Sequence, residues 1–168
     1  MQHHEQAITG ETRPDVRIER VTWRDLRAVA ALQKESFRPG LAYGLSGLSI
    51  LRAFPGVVFL VARTDTEPVV GCIIGDRHKG SVRIMNLAVG PNYRRMGIGS
   101  ALLREVESLL PEGNVTLMAE EWNRGAQALY SREGYVRDGI ARDYYGTGRH
   151  GVRMKKERGP QNTQTIHA

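Results

Sequence analysis

The stretch from Val82 to Glu120 most constrains the fold. Val82 to Val89 is a strand pattern bounded by Gly90-Pro91. Gly97 to Leu110 then carries apolar residues at helical spacing, and Pro111 and Gly113 stop it. Val115 to Glu120 is a second short strand pattern. A strand, a helix and a strand in that order form a β-α-β step, which places a crossover within one sheet.

The flanking segments add antiparallel pieces. Val16 to Val21 alternates apolar and charged residues, as a half-buried strand does. Thr22, with Asp25 three positions on, makes a capping-box-like pair before a helix marked by Leu26, Val29, Ala30 and Phe37. Leu41 to Phe54 is a weaker helical stretch, interrupted by Gly44 and Gly47 and ended by Pro55-Gly56. Val57 to Ala62 and Val69 to Ile74 read as a hairpin turning at Asp65-Thr66-Glu67-Pro68. Asn123 to Arg132 is a helix closed by Gly134, and Tyr135 to Ala141 and Gly151 to Lys156 are two last strands around a Gly-rich loop. The expected class is α/β (α+β), with a single mixed, mostly antiparallel sheet flanked by helices.

At 168 residues and 40% apolar content, the chain supports one core. The expected domain covers 15–157, with polar, aperiodic ends at 1–14 and 158–168 read as flexible tails. His3 and His4 fall in the first tail, with no further ligand at a useful spacing. A single cysteine, Cys72, excludes an internal disulfide and a cysteine metal site, and it lies in an apolar strand with no adjacent His. No apolar run approaches a membrane span, and residues 1–13 lack a hydrophobic leader core, so a cytoplasmic, metal-free protein is expected. The net charge is +6, and residues 142–158 hold six basic side chains against two acidic ones. Without interleaved stacking aromatics beyond Tyr144 and Tyr145, that patch is a poor nucleic-acid surface.

Chemistry concentrates between the first two strands of the β-α-β step. Arg94-Arg95-Met96-Gly97-Ile98-Gly99-Ser100 joins Leu87-Ala88-Val89 to a helix N-terminus. Such a terminus offers free N–H groups and a partial positive charge, glycines let the backbone approach closely, and the arginines add charge. A diphosphate is the natural guest. The segment is neither a Walker A loop, lacking Gly-Lys-Ser/Thr, nor a dinucleotide G-x-G-x-x-G, because its order is R-x-x-G-x-G.

This string resembles the acyl-CoA-binding motif of the GNAT superfamily of N-acetyltransferases. The likeness runs from about Val16 to Lys156. It implies a central strand pair that splays, with Leu87, Ala88 and Val89 bonding the pantetheine arm of acetyl-CoA and the Arg95–Ser100 backbone holding the pyrophosphate. A second stretch, Asn123 to Tyr135, resembles the family's N-x-x-A-x-x-L-Y-x-x-x-G-F/Y signature. Asn123 then caps its helix or bonds the cofactor arm. Tyr130 is either a core aromatic or, as the resemblance implies, the acid that protonates the departing sulfur. Asp143-Tyr144-Tyr145, followed by Gly148, Arg149, His150 and Met154, resembles the Tyr-Tyr loop of the protein N-terminal acetyltransferases, including the bacterial class acting on a ribosomal-protein alanine. In that group the loop overlies the first residues of the substrate.

The general base departs from this pattern. The bacterial group carries Glu five residues before the signature Asn, where this chain has Met118. Related enzymes place Tyr on the preceding strand, where this chain has Arg83. Strand alternation puts Glu120 on the Met118 side, which makes Glu120 the candidate base, ahead of Glu121. A weak base suits an α-amine, with pKa ~8 and about a tenth neutral at pH 7, better than a lysine at ~10.4. The implied acceptor is a peptide or protein N-terminus. A small amine, and an acyl-CoA-binding module without catalysis, remain as alternatives.

Overall fold

The computed structural model describes residues 14–159 of the 168. His3, His4 and all of the expected tails except Pro14, Arg158 and Gly159 lie outside the described residues. The elements are β1 (Arg17–Arg20), α1 (Leu26–Ser36), α2 (Leu45–Ala53), β2 (Val58–Arg63), β3 (Gly71–His78) and β4 (Ser81–Val89). They continue with α3 (Ile98–Leu109), β5 (Val115–Glu120), α4 (Arg124–Arg132), β6 (Val136–Ala141) and β7 (Gly151–Lys156). The seven strands form one sheet in the order β1-β2-β3-β4-β5-β7-β6. Only β4 and β5 pair in parallel, across the α3 crossover, and every other pair is antiparallel. This is the expected mixed sheet flanked by helices.

Two apolar layers hold the sheet. On one face, Ile98, Leu102, Leu103 and Val106 of α3 pack with Tyr130 of α4 onto Leu60, Ile73, Val82, Ile84, Val115 and Leu117. On the other, Leu26, Val29 and Leu32 of α1 and Leu48 of α2 cover Phe59, Val61, Cys72, Ile74 and Ala88. Cys72 is fully buried there, and burial pushes its thiol up to about 12. Arg63 of β2 grips Asp25 at 2.8 and 3.0 Å, while the Thr22 N–H and hydroxyl each donate to the same carboxylate at 2.7 Å. The Thr22–Asp25 pair read from the sequence is thus extended by an arginine from the neighbouring sheet. On α3, Arg158 donates to the carbonyls of Glu107, Leu110, Glu112 and Gly113, capping the helix C-terminus.

Two departures from the sequence reading have local causes. β3 runs four residues past Ile74, to His78. Lys79 and Gly80 both have positive φ (49° and 75°), the form a two-residue hairpin turn requires, so polar Asp76–His78 pair with Ser81–Arg83. Gly44, read as an interruption, is instead the N-cap residue of α2.

Candidate active site

The site begins with an extra residue in β4. Asn86 pairs with Ile74, but Ile84 pairs with Gly75, so Met85 is a β-bulge. β4 pairs with β5 only over Val82–Ile84 against Val115–Leu117. Past the bulge the strands separate, and Met118–Glu120 pair with β7 alone among strands. A V-shaped cleft opens between Leu87–Val89 and Ala119–Glu120.

The backbone direction in that cleft follows from hydrogen-bond alternation. The Gly90 N–H donates to the Val70 carbonyl at 2.9 Å, so Gly90 faces β3. In an antiparallel pair successive residues turn to opposite sides. Ala88 therefore faces its backbone to β3, and Leu87 and Val89 turn theirs into the cleft. The Val89 carbonyl accepts from Arg94 Nε at 3.1 Å. Of the three strand residues expected to bond an acyl donor through the backbone, two are so directed. Ala88 is not, and its side chain is buried against α1.

At the cleft's end a 3-10 turn, Pro91–Tyr93, leads to Arg94 and then to two left-handed residues, Arg95 (φ 64°) and Gly97 (φ 87°). Gly97 starts α3, and the Ala101 N–H closes on its carbonyl at 3.0 Å. The N–H groups of Ile98, Gly99 and Ser100 thus precede the first intrahelical bond and are free for an anion. The two glycines serve different needs. A Cβ on Gly97 would meet nothing within 4 Å, so the left-handed φ is what selects glycine there. A Cβ on Gly99 would lie 2.9 Å from Leu129 Cδ2, so Gly99 permits the close approach of α4. Arg94, Arg95 and Met96 are exposed around this loop. Arg104 holds Glu133 at 2.9 and 3.0 Å, and that pairing, aided by nearby Ser100, keeps the Glu133 carboxyl below its usual range.

Across the cleft, Asn123 caps α4, its side chain accepting the Ala126 N–H at 3.1 Å. Tyr130, two turns on from Asn123, is 7% exposed and packs at 5.9 Å from Tyr135. Burial pushes its phenol up to about 12, and among the described residues its hydroxyl has no hydrogen-bond partner. Glu120 ends β5 at 8% exposure. Arg149, from the β6–β7 loop, donates to its Oε1 from Nε at 3.1 Å and from Nη2 at 2.6 Å. In that loop Tyr144 and Tyr145 pack edge to face at 4.8 Å. Burial raises the Tyr145 phenol well above its ordinary value, and Tyr144, Tyr130 and Glu120 add to the rise. Tyr130, Tyr145 and Glu120 thus share one neighbourhood.

The chain matches the model of the "Acetyltransferase (GNAT) family" over residues 22–135. It belongs to that family. An uncharacterized N-acetyltransferase of Methanocaldococcus jannaschii is 30% identical over 145 residues, which cover 84% of this chain and 91% of that one. The ribosomal protein bS18-alanine N-acetyltransferase of Escherichia coli is 40% identical over 67 residues, 38% of this chain and 45% of that protein. The PaiA N-acetyltransferase of Thermoplasma acidophilum, solved in complex with coenzyme A, superposes with a TM-score of 0.73 at 18% identity, covering 86% of this chain and 99% of that one.

This GNAT domain is an acetyl-CoA-dependent N-acetyltransferase, with acetyl-CoA as its cosubstrate. No helix among the described residues is long and apolar enough to cross a membrane. No group of three or more His, Cys, Asp or Glu is placed to hold a metal ion among the described residues. Neither position that carries the base in the resembled groups supplies one here. Met118 lies over Gly151, where an added Cβ would be 2.7 Å from its sulfur. Arg83 is locked to Asp76 at 2.6 and 3.1 Å. The Glu121 side chain is only half-buried, and its backbone is tied to His150 and Gln127. Sequence reading missed two features of the site. Arg149 reaches Glu120 across 29 positions, and the Arg38 guanidinium lies 3.8 Å over the Trp122 ring, joining the α1–α2 loop to the β5–α4 turn. No local spacing signals either contact.

Proposed function

We propose that this enzyme acetylates the α-amino group of a peptide or protein N-terminus. The observation that carries this reading is the grouping of Glu120, Tyr145 and Tyr130 at the cleft, beneath a loop that presents Tyr144 outward. The sole carboxylate in that group is held by Arg149. An acceptor that arrives about a tenth neutral at pH 7 asks little of such a base. The activity named for the Escherichia coli relative, acetylation of a ribosomal-protein alanine, supports the same class of acceptor.

In the proposed reaction the amine nitrogen bonds to the thioester carbonyl carbon and the C–S bond breaks. Cleft-facing backbone N–H groups of β4 stabilise the oxyanion, Tyr130 gives its phenolic proton to sulfur, and Glu120 takes a proton from the amine. Burial lifts the Tyr130 phenol to about 12, which keeps it protonated and able to give its proton to the thiolate.

The test compares one peptide with a free N-terminus against the same peptide blocked there and carrying a lysine. Faster acetylation of the free α-amine is expected. Faster acetylation of the blocked lysine peptide would overturn the acceptor assignment.

A further inference from the structure

One buried polar contact lies directly behind the acyl-donor edge. Asn86 is the first residue after the Met85 bulge and immediately precedes Leu87–Val89. Its amide pairs reciprocally with Gln33 of α1. Gln33 Nε2 donates to Asn86 Oδ1 at 2.5 Å, and Asn86 Nδ2 donates to Gln33 Oε1 at 3.1 Å. Gln33 is fully buried, Asn86 is 8% exposed, and Gln33 Nε2 also reaches Cys72 Sγ at 3.4 Å. Their surroundings are otherwise apolar: Val29, Leu32, Cys72, Ile74 and Ala88.

An apolar pair would fill this space without the desolvation cost that two amides carry. The pair does something an apolar contact does not: it is directional, and it fixes which side of β4 residue 86 occupies. That choice matters because the side-chain period of a strand is two. A slip of one residue would turn Asn86 and Ala88 toward α3. It would also swing the Leu87 and Val89 backbone onto β3, leaving Ala88 to face the cleft. The bulge at Met85 is where the phase of the strand changes, so the residues just beyond it are the ones whose phase such a pair can fix.

We propose that Gln33 and Asn86 are a positioning pair, locking the phase of β4 after its bulge so that the Leu87 and Val89 backbone faces the acyl donor. The inference rests on the acetyl-transfer reading of the cleft for its consequence, but its structural half is testable without activity. In the free protein the Ala88 amide should resist hydrogen exchange, held by β3, while the Leu87 and Val89 amides exchange fast. Acetyl-CoA should then slow Leu87 or Val89 and leave Ala88 unchanged. Protection gained at Ala88 instead would overturn the phase assignment. Absence of any acetyl-CoA effect alongside the free-protein pattern would count against the cofactor site and not against the pair.

The variants address the lock. Gln33→Met combined with Asn86→Leu removes both amides and keeps the volume apolar, so its melting temperature should stay near wild type. Its kcat should fall and its KM for acetyl-CoA should rise, each by about 10-fold, as expected when a reacting edge is displaced. The exchanged pair, Gln33→Asn with Asn86→Gln, keeps the amide contact and should recover both constants to within about 3-fold. A folded apolar pair with wild-type kcat and KM would overturn the proposal. Should the apolar pair fail to fold, the exchanged pair decides alone: activity supports the lock, and a folded but inactive protein refutes it.

Discussion

Tyr130 shows how a buried residue can be poised without being bound. Its ring belongs to the α3–α4 core, and its hydroxyl has no hydrogen-bond partner among the described residues, which leaves the phenol proton free for a ligand. Tyr130→Phe should leave acetyl-CoA affinity within a few-fold while lowering kcat by about 10²-fold, the signature of a lost proton donor. Steady-state kinetics with an independent binding isotherm separates the two effects, and full activity of the Phe variant would reduce Tyr130 to a core aromatic. Glu120 makes the complementary prediction. The wild-type rate should climb through roughly pH 7–9 as an α-amine deprotonates, and Glu120→Gln should lower kcat/KM by at least about 10-fold at pH 7. A pH–rate series on both proteins checks this, and an unchanged rate in the variant would leave the proton to water. Candidate site residues marked by local chain signals were legible in the sequence. Asn123 before a helical run and Gly97 before another announce themselves within a few positions. Arg149 on Glu120 and Gln33 on Asn86 do not, because each contact spans 29 or 53 positions and depends on how the sheet closes.

Among the elements, the β4–α3 junction ties the fold most closely to the proposed cofactor site. The bulge at Met85 ends the pairing of β4 with β5, and the left-handed turns at Arg95 and Gly97 then expose the first N–H groups of α3. Read from sequence, the two glycines suggested a close approach to phosphate and unusual φ values. In the structure Gly97 meets a conformational need and Gly99 a packing one against Leu129, so only Gly97 borders open space at the proposed anion cradle. Gly97→Asp should therefore abolish the rise in melting temperature that acetyl-CoA gives the wild type, since it places a carboxylate beside the pyrophosphate and a side chain at φ 87°. Thermal unfolding with and without acetyl-CoA reads this out, and a full ligand shift in the variant would put the cradle elsewhere. The β3–β4 hairpin offers the opposite lesson. Its Lys79-Gly80 turn was in the sequence, but polar Asp76, Arg77 and His78 hid the strand, and only the ladder to Ser81–Arg83 and the Asp76–Arg83 ion pair explain why they extend it.

For the whole molecule, ion pairs that tie one element to another set the response to acid. Asp25 joins the start of α1 to β2. Burial alone would raise its carboxyl, but the bonds from Arg63 and Thr22 outweigh that and hold it below the ordinary range. Glu133 joins the end of α4 to α3, and its bonds from Arg104, aided by nearby Ser100, lower it in the same direction. A carboxyl depressed in the folded state contributes stability that is complete above the unfolded pKa and is lost as pH falls through the folded one. The protein should thus hold a level melting temperature down to about pH 5 and lose it progressively below about pH 4. Of the two pairs, Asp25–Arg63 should dominate, because both side chains are largely enclosed, at 10% and 17% exposure, whereas Arg104 is 71% exposed and screened by water. Asp25→Asn takes the charge out of the Arg63 pair and leaves one acceptor oxygen where there were two, while Arg63 keeps Glu19 and the Pro68 carbonyl. It should cost about 2 kcal/mol at pH 7, or roughly 4–8 °C of melting temperature for a domain of this size. The loss should shrink as pH falls toward 3, where the wild-type carboxylate is itself being protonated. Denaturation curves of both proteins from pH 7 to pH 3 make the comparison, and a stability gap that stays constant over that range would show that Asp25 acts through packing and not through its charge.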